Sequence, residues 1–66
     1  MSQWYLDYTR GAAVNKWVRE CPGGREDMLR YSSEDKVEVK NTAKYLVDIL
    51  GFPGTIWVVK DYRGRR

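Results

Sequence analysis

Histidine is absent from this 66-residue chain, and cysteine occurs once, at Cys21. A single thiol forms no internal disulfide, so the stapled secreted mini-protein class is excluded and a reducing, cytoplasmic setting is expected. With no histidine and one cysteine, a structural zinc site lacks its ligands. The same absence removes the side chain best suited to moving protons near neutral pH. No serine or cysteine has a base at a recognisable spacing, so no catalytic residue is expected and the chain reads as non-enzymatic, with no cofactor and no metal. Long apolar runs are also missing. Nothing approaches the roughly 20 residues of a spanning helix, and Met1 to Asp7 has neither the basic start nor the apolar stretch of a signal peptide. A soluble protein without a membrane partner is expected.

What remains is rich in aromatics and charge. The 42% hydrophobic content includes three Trp and five Tyr, enough for one small core, and 32% of residues are charged. A chain this short buries only about 60% of its unfolded surface, so each large apolar residue matters. One α+β domain is expected over residues 1–62, followed by a basic tail at 63–66. The net charge of +3 is compatible with a polyanionic partner without requiring one.

Period 2 in Trp4, Leu6 and Tyr8 predicts a strand over Gln3 to Thr9. Ala13, Val14, Trp17, Val18 and Cys21 then fall on an arc of about 140° at helical spacing, predicting a helix that Pro22-Gly23-Gly24 stops. Cys21 on that arc is expected to be a buried, inert thiol. The competing assignment of Val14 to Glu20 as a hairpin arm would send Trp17 and Val18 to opposite faces. Met28 to Ser32 is expected to be a short strand, and Lys36-Val37-Glu38-Val39-Lys40 alternates cleanly enough to predict the next. The alternative, a long helix starting at Ser33 with Glu34 and Asp35 in its first turn, suffers from two valines and an Asn-Thr pair. A helix capped by Asn41 follows, burying Ala43, Leu46, Val47 and Leu50 and ending at Gly51. Thr55 to Tyr62, containing Ile56-Trp57-Val58-Val59, is the clearest strand.

The expected order is β-α-β-β-α-β, the ferredoxin-like arrangement with two helices on one face of a four-stranded antiparallel sheet. The alternative is a β-β-(β)-α-β meander with one helix. The acidic pairs Glu26-Asp27 and Glu34-Asp35 read as solvated loop residues. Pro22-Gly23-Gly24 and Gly51-Phe52-Pro53-Gly54 read as helix stops, because phosphate cradles need glycines that open into a helix.

The functional expectation rests on aromatics near cations. Tyr5 and Trp57 on an uncovered sheet face would stack bases of RNA or single-stranded DNA, while Lys36, Lys40, Lys60, Arg63, Arg65 and Arg66 contact phosphate. Asp7, Glu38 and Asp61 interrupt that patch. The alternative expectation is a protein-docking regulator, inhibitor or accessory subunit, acting through the same aromatics or a sheet edge on a protein partner or a second copy.

Overall fold

A computed structural model describes residues 3–60. Along the chain lie β1 (Trp4–Tyr8), α1 (Ala12–Arg19), α2 (Gly24–Leu29), β2 (Ser32–Ser33), α3 (Lys36–Asp48) and β3 (Ile56–Lys60). The strands form one antiparallel sheet in the order β2-β1-β3, so β1 is central and β3 lies at an edge. The α+β class is as expected. The order is β-α-α-β-α-β, however, with three strands and three helices among the described residues in place of the four strands and two helices of the ferredoxin-like arrangement. The meander alternative differs too, since α1 is a helix.

Two expected strands are responsible. Met28 and Leu29 close the short helix α2, and only Ser32–Ser33 beyond them pairs with β1. Lys36 to Lys40 opens the 13-residue helix α3, which Asp35 caps in place of Asn41. The Asp35 carboxylate accepts from the Val37 N–H at 3.0 Å, and the Ser33 hydroxyl accepts from the Asp35 N–H at 3.0 Å. Burial shows why helix prevails. Val39 is 0% exposed and Val37 61%, whereas strand alternation would put both on one face. Two helical valines cost together about 1 kcal/mol, while burying Val39 returns roughly 1.5–3 kcal/mol and the cap about 1 kcal/mol more.

α1 forms where the arc predicts it, with Val14 and Trp17 buried. Cys21 is exposed, against expectation, because α1 ends at Arg19 and the thiol leaves the apolar arc. Pro22-Gly23-Gly24 both ends α1 and opens α2, with Gly23 at φ 92° as the N-cap residue. At the far end of α3, Val47 is exposed, while the Phe52 N–H returns to the Leu46 carbonyl at 2.9 Å, next to Gly51 at φ 71°. That reversal needs the left-handed backbone that glycine adopts without strain. It drops Phe52 into the core beside Leu6, Val14, Trp17, Leu29, Val39, Ala43 and Leu46. The Phe52 ring meets Trp17 edge-on at 5.1 Å and Tyr8 at 5.7 Å.

Arg10, just past β1, ties the helices to the sheet. Its guanidinium forks onto the Glu26 carboxylate of α2 (3.0 and 3.3 Å) and donates from Nε to the Asn15 side chain at 2.8 Å. No described helix is long and apolar enough to cross a membrane.

Candidate functional site

Strand alternation and register decide which aromatics are available. Trp4, Leu6 and Tyr8 of β1 pack against the core together with Ile56 and Val58 of β3, so the alternate residues point the other way. Across the pair, Tyr5 lies opposite Val59 and Asp7 opposite Trp57. Tyr5 and Trp57 therefore share the sheet face that the described helices leave uncovered, diagonal to each other. Trp57 is 42% exposed and Tyr5 is half-buried.

The lysines lie elsewhere. Helical spacing carries Lys36 and Lys40 onto the flank of α3 that overhangs β3, on the covered side of the sheet. The Lys36 ammonium sits 4.9 Å from the centre of the Trp4 ring, a cation–π contact. Trp4 in turn pairs with Lys60 across the strands, so Lys36 and Lys60 lie at the same end of the sheet. The expected array of stacking aromatics beside Lys36 and Lys40 is thus divided: Tyr5 faces one way and the lysines another. The cause is the same helix that replaces the expected Lys36–Lys40 strand. Arg63, Arg65 and Arg66 lie outside the described residues, as do Asp61 and Tyr62 of the expected last strand.

What the structure does bring together is a groove of about 380 Å³ between α3 and the outer edge of β3. Lys36, Lys40 and Ala43 line it from the helix, and Ile56, Trp57 and Val58 from the strand. Among the described residues β3 pairs only with β1, so alternate backbone N–H and C=O groups of its outer edge face away from the sheet. The edge is five residues long, contains no proline and is apolar up to Lys60. Sequence reasoning named Trp57, Lys36 and Lys40 but missed Ala43, Ile56 and Val58 as groove residues. The available signal was the helix start at Asp35, which sets Lys36 and Lys40 one turn apart on one flank.

The acidic residues mostly serve the fold. Hydrogen bonding to Arg10 holds the Glu26 carboxyl below its ordinary range, and Arg10 itself is raised by the same bond. Glu38 accepts from the Tyr31 hydroxyl at 2.9 Å, which raises the Tyr31 phenol, and from the Ser33 hydroxyl at 3.0 Å. Asp35 is the cap of α3. Among the described residues, no three His, Cys, Asp or Glu side chains gather closely enough to hold a metal ion. No protein-family model matches the chain, and comparison with curated proteins and with solved structures gives no match.

Proposed function

We propose that this chain is a small, non-enzymatic protein-docking module whose binding surface is the outer edge of β3 and the groove beneath α3. One observation carries the reading: an apolar five-residue edge strand, with half its hydrogen-bonding groups turned outward, lies along a groove lined by apolar residues and two lysines. An extended segment gains main-chain hydrogen bonds at such an edge and selectivity from the groove. Trp57, exposed on the same strand, is of the residue type that dominates protein interfaces. A reducing, cytoplasmic setting goes with this reading, since Cys21 is a lone exposed thiol.

The test is to pan a random-peptide display library on the folded protein. Enrichment of strand-forming sequences, reduced by Trp57→Ala, is the expected result. Failure of a folded protein to enrich any peptide contradicts the reading.

A second reading, binding of RNA or single-stranded DNA, draws on the shared face of Tyr5 and Trp57. Lys36, Lys40 and Lys60, with Arg63, Arg65 and Arg66, would supply the phosphate contacts. It is the weaker of the two, because Lys36 and Lys40 flank the groove on the opposite side of the sheet and Asp7 stands directly across from Trp57. Phosphate binding weakens steeply with salt, and an apolar docking edge does not.

A further inference from the structure

We infer that the occupant of this edge is an acidic extended segment of a protein partner, which adds to β3 as a fourth strand and places alternate carboxylates against Lys36 and Lys40. The inference rests on the docking reading above and names its partner chemistry. The lysines carry it. Neither makes an ion pair among the described residues, although Arg10, Arg25 and Arg30 all do. Lys36 is held over Trp4, and Lys40 lines the groove, whose described lining residues include no acid. Both stems can lie along apolar surface with the ammonium groups at the rim.

Spacing adds a second argument. Residues four apart on a helix have Cβ atoms about 5–6 Å apart, and same-face residues of a strand repeat every ~6.7 Å. α3 runs back along β3: Lys36, in its first turn, meets Trp4, which pairs with Lys60 at the far end of β3. A strand added at the edge would therefore present carboxylates at positions i and i+2 to Lys36 and Lys40 in turn. Its intervening residues would lie beside Trp57 and Val59 on the opposite face, where apolar side chains fit.

A second copy fits poorly. Antiparallel pairing of β3 with β3 would bring Lys36 and Lys40 of both molecules to one seam, four like charges with no acid between them. Lysines beside an exposed edge are a recognised means of discouraging self-pairing.

The test is an NMR titration of the full chain with a capped nine-residue peptide of alternating valine and glutamate. A valine–glutamine peptide of equal length and a labelled single-stranded oligonucleotide serve as comparisons. The glutamate peptide should bind roughly fivefold to tenfold tighter than the glutamine one, as expected for two partly exposed ion pairs. Lys40→Gln, which removes no ion pair among the described residues, should erase much of that difference while the protein stays folded. Equal affinity for the two peptides overturns the acidic partner but leaves the docking reading standing. Binding of neither peptide by the folded protein overturns both, and oligonucleotide binding in their place favours the second reading.

Discussion

The Trp17 indole N–H donates to the Leu50 carbonyl at 2.8 Å, pinning the first helix to the end of the third. Trp17 is buried, so its ring fills the core while its one polar atom satisfies a backbone carbonyl near the reversal at Gly51. The Arg25 guanidinium lies 4.6 Å from the indole and donates to the Trp17 carbonyl at 2.8 Å, closing the other side. Trp17→Phe keeps much of the packing but leaves the Leu50 carbonyl without this donor. A loss of about 1–3 kcal/mol in denaturant-measured stability is expected, and no loss would show that the bond contributes nothing.

The cap of α3 is tested separately. Asp35→Ala removes the acceptor for the Val37 N–H and should destabilise the protein by about 0.5–2 kcal/mol, with Asp35→Asn much milder. If both variants were as stable as the parent, Lys36 would not begin a helix.

The two valines of the first turn provide a paired comparison. Val39→Ala, at a position with no exposure, should cost on the order of 1.5–3 kcal/mol. Val37→Ala, at an exposed helical position, should stay within about 0.5 kcal/mol of the parent. Equal losses by chemical denaturation would support a strand with both valines inward.

Acid should act through Glu26. Its folded-state carboxyl titrates below its ordinary value of 4.5, chiefly through the hydrogen bond to Arg10. A depressed pKa contributes stability that is complete above the unfolded value and fades as pH falls through the folded one. The stability difference between the parent and Glu26→Gln should therefore be flat above about pH 5 and shrink below 4.5. Because the pair is partly exposed, the difference should stay under about 1 kcal/mol. A difference that grew on acidification would contradict the Arg10–Glu26 pairing.

These residues also show how far the chain can be read unaided. β1 and α1 were legible from the spacing of Trp4-Leu6-Tyr8 and Val14-Trp17-Val18, and β3 from the continuous β-favouring apolar run Ile56-Trp57-Val58-Val59. Lys36 to Lys40 misleads because its alternation is a strand signal, while the deciding facts are an Asp35 cap and a tertiary pocket for Val39. α2, at six residues, is too short for a helical period to emerge. Of the site, alternation leaves open whether Tyr5 or Trp4 and Tyr8, and whether Trp57 or Ile56 and Val58, face outward, and core packing decides for Tyr5 and Trp57. The groove could not, because it depends on β3 lying at the sheet edge, and strand order is set by packing among distant segments.

The most direct test of the docking edge is backbone amide hydrogen exchange at Ile56 to Lys60, measured with and without a peptide selected by panning. The account predicts that alternate amides of β3, those turned away from β1, exchange freely in the unbound protein and become protected on binding, while amides already paired with β1 change little. Binding without new protection along β3, with contacts instead clustered on the Tyr5 face, would contradict it.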